Sequence, residues 1–209
     1  MSNVIYSCIF GARDNLHEPK CEIPPGVRLV LFTDDSRLRS EKWEIQHAEA
    51  HPENPRISAR RIKLLSHVAF PDAESTLWID GHLTLLNLNG IFERESQFAL
   101  RRHPRRSCVY QEIRQCRRQK QDSYDLLNKL QKRYETECFP EQWGLWMTGI
   151  LFRRHTPEVC EFNQRWWDEL SANSIRDQIS FPYLARKTGL EFETLPDGVP
   201  SFHWGNHRV

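Results

Sequence analysis

Thr76-Leu-Trp-Ile-Asp-Gly-His-Leu-Thr84 decides the fold, because its apolar core Leu77-Trp78-Ile79 ends abruptly in Asp80-Gly81-His82. Strand formers with no polar residue between them predict a short strand buried on both faces of a parallel sheet. Gly81 then lets the chain turn sharply. Open α/β sheets bind their ligands beyond the carboxyl ends of their strands. A carboxylate and an imidazole separated by one residue at that place can hold a hard divalent cation and leave positions open for phosphate oxygens. Asp-Gly is also a common turn dipeptide, so spacing alone leaves a second reading, in which Asp80 caps a turn and His82 is a surface residue.

The residues before this stretch predict more strands of the same kind. Val4–Phe10 is a first buried strand that opens into the loop Gly11-Ala-Arg-Asp14, and Val27–Phe32 is a second that runs straight into Thr33-Asp34-Asp35. In a parallel sheet these tips share one rim with Asp80, which brings Gly11 and Asp34 or Asp35 beside it. Trp43–His47 reads as a third, shorter strand. A helix over about residues 56–70 carries an apolar stripe of Ile62, Leu65 and Ala69, while Arg56, Arg60, Lys63 and His67 follow helical spacing on another face. Such a cationic face either neutralises a diphosphate or is simply solvated.

After the central stretch, Leu83–Leu88 predicts a short strand and Gly90–Leu100 a helix. Ser107–Tyr110 reads as a strand ending at Gln111-Glu112, followed by one long helix from Ile113 to Thr136. Trp143–Gly149 is a Gly- and Trp-rich loop before a strand over Ile150–Arg153, and side-chain-poor glycine beside indole suits packing or a sugar face. Pro157–Leu170 is an amphipathic helix with Val159, Phe162, Trp166 and Leu170 on its core face. Another helix opens at Ser174, a capping residue, with Asp177 in its first turn and Pro182 kinking it. Leu190–Leu195 is an edge-like strand, and the final His203 and His207 flank a Gly-Asn turn.

The chain of 209 residues is long enough for one sizeable core, so a single domain over residues 1–209 is expected. A formal net charge of +1 argues against binding DNA, other nucleic acid or membrane through global charge. Residues 101–120 nevertheless carry eight cations against one carboxylate. This segment allows peripheral association with an anionic surface, or RNA binding, although only Tyr110 is placed for base stacking. The six cysteines show no metal-finger or Cys-x-x-Cys spacing and suit a reducing compartment. With no signal-peptide pattern and no apolar run long enough for a membrane helix, a cytoplasmic location is expected. Dinucleotide, phosphate-loop and serine-hydrolase motifs are absent from the sequence.

The order of the pieces is more specific than any one of them. Phe10-Gly-Ala-Arg-Asp14, Leu31-Phe-Thr-Asp-Asp35, Pro55-Arg-Ile-Ser-Ala-Arg60 with Lys63, Leu77-Trp-Ile-Asp-Gly81, and Trp166-Trp167 before Arg176-Asp-Gln178 together resemble GT-A-fold glycosyltransferases. The closer resemblance is to a family of glycosyltransferase-like domains found in bacteria and in plant proteins linked to turgor and mucilage phenotypes. It covers nearly the whole chain. It implies an α/β, GT-A-like (Rossmann-like) fold with a mixed, mostly parallel sheet flanked by helices, and transfer of a monosaccharide from a nucleotide sugar, a UDP-sugar favoured, to a glycan or related acceptor. The implied donor site comprises Gly11, Arg13, Asp34, Arg60, Lys63 and Asp80. The implied cofactor is a divalent cation, manganese first and magnesium second, on Asp80 and His82 with late histidines His203 and His207. In this chain His82 stands where the family pattern of GT-A enzymes has a second carboxylate: Asp-x-His still suits manganese, and weaker magnesium binding or a metal-independent site also fits. An inverting reaction needs a carboxylate base, for which Asp177 comes first and Glu112 second. A non-catalytic module binding nucleotide sugar or glycan is the alternative.

Overall fold

In the computed structural model, which describes residues 2–205, the apolar runs of the sequence become the middle of one sheet. β1 (Ser2–Ile9) sends Val4, Tyr6 and Cys8 to one face and Ile5 and Ile9 to the other, all buried, as strand alternation dictates. The other strands are β2 (Val27–Thr33), β3 (Glu44–His47), β4 (Ala73–Ile79), β5 (Leu83–Asn87), β6 (Phe98–Arg102), β7 (Trp146–Arg154), β8 (Glu193–Leu195) and β9 (Ser201–Trp204). The main sheet runs β3-β2-β1-β4-β7-β6-β8. Its first four strands are parallel, β7 is antiparallel to both neighbours, and β8 lies parallel to β6. This is the GT-A-like, mixed and mostly parallel sheet that the sequence led us to expect. β5 and β9 form a separate antiparallel pair.

The helices are α1 (Pro55–Leu64), α2 (Ser66–Ala69), α3 (Val109–Arg118), α4 (Tyr124–Thr136), α5 (Pro157–Ala172) and α6 (Asp177–Thr188). The buried apolar residues of α1 and of α3 to α6 pack with Val4, Tyr6 and Cys8 against one face of the sheet. The opposite face, with Ile5, Leu31, Leu77 and Phe152, is covered by β5, β9 and loops through Leu83, Leu85, Ile91 and Phe202. No helix among the described residues is long and apolar enough to cross a membrane.

Several elements differ from the sequence expectation, each for a physical reason. The helix expected over residues 90–100 is a short 3-10 turn, Ile91–Glu93, followed by β6, where Phe98, Ala99 and Leu100 are fully buried between two strands. Burial within a sheet overrides the low strand propensity of Ala99. The strand expected at 107–110 is the start of α3, because Val109, Ile113 and Cys116 bury one helical face. The single helix expected over 113–136 is broken after Arg118. There Lys120 adopts a left-handed backbone (φ 51°), its N–H donates to Arg117 O (3.1 Å), and the N–H of Gln121 donates to Cys116 O (2.9 Å). This closes α3 with the two-bond motif usually built on glycine.

β7 begins at Trp146 rather than at Ile150, so Gly149 lies inside a strand. Ser174 does not open α6. Its hydroxyl accepts from the Arg176 N–H (3.2 Å) and donates to Asp122 (2.5 Å), and the helix starts at Asp177. Pro182 leaves α6 unbroken, because buried Phe181, Tyr183 and Leu184 hold both sides of it in the core. The helix expected to reach residue 70 is interrupted at Leu65. The carbonyls of Lys63 and Leu64 are taken there by buried Arg153, at 2.6 and 3.2 Å, and that of Lys63 also by the Tyr6 hydroxyl, at 2.7 Å.

Candidate active site

Asp80 follows the last residue of β4 and is fixed from three sides. Its N–H donates to Gly149 O (2.8 Å), and its Oδ1 accepts from the Trp78 indole N–H (2.7 Å) and the Lys63 ammonium (3.3 Å). The two neighbouring glycines are there for close approach. A Cβ on Gly149 would stand 3.0 Å from Asp80 Oδ2, and one on Gly81 would stand 2.9 Å from the Cys8 carbonyl oxygen and 3.2 Å from Asp14. Gly81 therefore packs the tip of β4 against the tip of β1, a role beyond the turn expected of it. The next tip is joined to this rim as well, since Gly11 N–H donates to both Asp34 oxygens at 3.1 and 3.0 Å. The residues Gly11, Asp34 and Asp80 thus come together on one edge, although Asp34 is exposed and braces the Gly11 loop from outside the cavity.

Lys63 is placed from behind by its own backbone. Tyr6 and Arg153 hold its carbonyl, and the fully buried side chain runs under the rim, 5.4 Å from the centre of the Trp78 ring. Its ammonium lies between two carboxylates, 3.3 Å from Asp80 and 2.5 Å from Asp177. Arg60 approaches Asp177 at 3.4 Å from one helical turn earlier. Burial pushes the Asp177 carboxyl up, but Arg60 and Lys63 outweigh it and hold the group well below the usual carboxylate range. Asp80 is held low in the same way, by Lys63 and then Arg60 against its burial.

The rim opens on a cavity of about 1040 Å³, lined by elements from the whole length of the chain. That volume is at the upper end for small-molecule sites. Arg13, Arg56, Arg60, Arg105, Arg106 and Arg176 face it, against the carboxylates Asp14, Asp80 and Asp177. Sequence reasoning placed Arg56 on the cationic helix face that could neutralise a diphosphate, and Arg176 in a motif, but named neither among the donor-site residues. Their signal was the Arg56/Arg60 spacing and the Arg-Asp pair at the start of α6. His67, counted on the same face, lies beyond the break at Leu65 and faces His155 instead (ring centres 6.5 Å apart).

The two carboxylates expected as bases have different surroundings. Asp177 reaches the cavity but is engaged by two cations, so it binds a proton poorly and serves as their counter-ion. Glu112 is not at a strand end. It sits buried in the first turn of α3, outside the cavity lining, 2.5 Å from Arg106 and 4.0 Å from Arg176. The basic segment is likewise divided rather than continuous. Arg101 pairs with Asp197 (2.6 Å), Arg102 lies over Trp146, Arg117 over Tyr124, and Arg105 and Arg106 turn into the cavity.

Among the described residues, Asp80, His82 and His203, all expected to hold a divalent cation, are not gathered as a three-ligand set. Oδ1 of Asp80 already receives an ammonium and an indole N–H, and the His82 ring packs against Trp204 (5.4 Å). His203 is exposed on β9, one residue before Trp204, which lines the cavity, so it projects from the other face of the strand. His207 lies outside the described residues. Among the described residues no three His, Cys, Asp or Glu side chains gather as a metal site would require.

Residues 1–195 match the family model described as TOD1/MUCI70, glycosyltransferase-like domain. The chain is 31% identical to "Probable hexosyltransferase MUCI70" of Arabidopsis thaliana, with 85% of this chain aligned to 36% of that protein, so it spans about a third of that relative's length. Among solved structures it is similar to mouse xyloside xylosyltransferase 1 in its apo form, at a TM-score of 0.55 and 10% identity over 93% of this chain and 85% of that one. The glycosyltransferase GlyE of Streptococcus pneumoniae TIGR4 aligns at a TM-score of 0.49 and 13% identity, over 95% of this chain and 46% of that chain.

Proposed function

The chain belongs to the TOD1/MUCI70 glycosyltransferase-like domain family, and on that premise we propose that it transfers a monosaccharide from a nucleotide-sugar donor, a UDP-sugar in the first instance, to a hydroxyl of a glycan or related acceptor. The observation that carries this reading is the convergence of the β1 and β4 tips, the first braced by Asp34, and of Arg56 and Arg60 of α1 on one arginine-lined cavity. In the transfer, the bond from the anomeric carbon to the diphosphate oxygen breaks with its electron pair left on that oxygen. The acceptor oxygen bonds to the carbon, and its proton leaves with the released diphosphate. Charge grows on the leaving oxygen, and preorganised cations lower the barrier by meeting it where it develops. Asp80 and Asp177 hold Lys63, and Asp177 holds Arg60, in place for that task.

The test is donor turnover. Purified protein incubated with UDP-, GDP- and CDP-sugars, with and without oligosaccharide acceptors, is expected to release nucleoside diphosphate from one of them. Asp80→Ala and Arg60→Ala are each expected to reduce that release about a hundredfold or more. Turnover of no donor, or turnover indifferent to both substitutions, would show that this cavity does not perform the transfer.

A further inference from the structure

The cavity carries more positive charge than its own carboxylates answer. Asp80 and Asp177 are already committed to Lys63 and Arg60, which leaves Asp14 in the cavity lining and Glu112, 4.0 Å from Arg176, as the carboxylates near Arg13, Arg56 and Arg176. Arg56 records this crowding. Burial and then the nearby Arg176, Arg60 and Arg13 pull its pKa down to about 10, with only Asp177 acting in the other direction. The buried Nε of Arg176 lacks a hydrogen-bond partner among the described residues, and that of Arg60 has its 3.4 Å ion pair with Asp177. A cationic cluster of this kind gains most from a multivalent oxyanion, because each planar guanidinium can give paired hydrogen bonds to phosphate oxygens. On the opposite side of the account, the Asp80 and His82 pair has no third ligand beside it among the described residues.

We propose that the donor diphosphate is held and neutralised by Arg13, Arg56, Arg60 and Arg176, with no divalent cation required. This rests on the glycosyltransferase reading and deepens it, by assigning to four side chains the charge that a metal would otherwise supply. Arg13 comes from the loop after β1, Arg56 and Arg60 from α1, and Arg176 from the residue before α6. The site therefore closes around the phosphates from three segments.

Calorimetric titration of the protein with UDP, GDP and CDP, in a chelator and again in manganese, tests both levels. The expected result is binding of at least one nucleoside diphosphate with affinities that agree within about twofold in the two conditions. Arg56→Gln and Arg176→Gln should each weaken it about tenfold or more. Far-ultraviolet circular dichroism checks that these variants fold, and Arg13→Gln, at an exposed position, supplies a third that leaves the core untouched. Binding that appears only with manganese would overturn the proposal while leaving the transferase reading intact. Metal-independent binding that survives all three substitutions would overturn it as well. Failure of every nucleotide to bind in either condition would overturn the transferase reading and the proposal together.

Discussion

Lys63 is the residue on which the site's electrostatics turn, and its surroundings set a pH dependence. The Asp177 carboxyl is held below its ordinary value of 3.8 in the folded chain and returns to it on unfolding. Its contribution to stability is therefore complete above that ordinary value and is lost as the pH falls toward the folded one. At neutral pH, Asp177→Asn should cost about 3–5 kcal/mol, since it leaves a buried ammonium and a guanidinium without their shared counter-ion. In urea titrations the gap between wild type and variant should narrow steadily below about pH 4. A gap independent of pH would mean that Asp177 acts through packing alone. Sequence reading placed Asp80, Arg60 and Lys63 near one another, because a strand tip and a helix face are local patterns. It assigned Asp177 to base chemistry, because nothing in the spacing of residues 63 and 177 announces an ion pair made through tertiary packing.

At the scale of elements, the joints were harder to read than the strands and helices they connect. The buried strands β1, β2 and β4 were plain in the sequence as continuous apolar runs ending in polar residues. The break between α3 and α4 was not, since Lys120 rather than glycine occupies the left-handed position. That position is exposed, so Lys120→Gly should raise stability by about 0.5–1 kcal/mol by relieving backbone strain, measurable as a higher denaturation midpoint. The junction between β4 and β1 is the opposite case. A methyl group on Gly81 would meet the Cys8 carbonyl at 2.9 Å, and backbone cannot step aside as a side chain can. Gly81→Ala is expected to cost about 1–3 kcal/mol and to lower the melting temperature accordingly. An unchanged melting curve would show that the two tips are less tightly apposed.

Across the whole molecule, a near-neutral chain gathers six of its arginines around the cavity where its sheet rim opens. The net charge of +1 hid this, because the balance is struck between surfaces rather than within the cavity. A ligand that binds only the folded form stabilises it by mass action, by about 2.7 kcal/mol at a hundredfold excess over its dissociation constant. Nucleoside diphosphates should therefore raise the melting temperature by several degrees, while the parent nucleosides, lacking phosphate, should scarcely move it. Equal shifts from both would place recognition on the base instead of on the phosphates. The fold class was legible because apolar runs and their order survive without tertiary information. The cavity was legible only in part, because its lining is drawn from loops and helix ends that no periodicity marks.

Trp78 shares its indole proton with the Asp80 carboxylate and lies beneath the Lys63 ammonium. That contact wires a fluorophore directly to the cavity floor. Occupancy that redistributes charge around Asp80 would alter the emission of the Trp78 indole, so the protein carries its own optical gauge of what enters it.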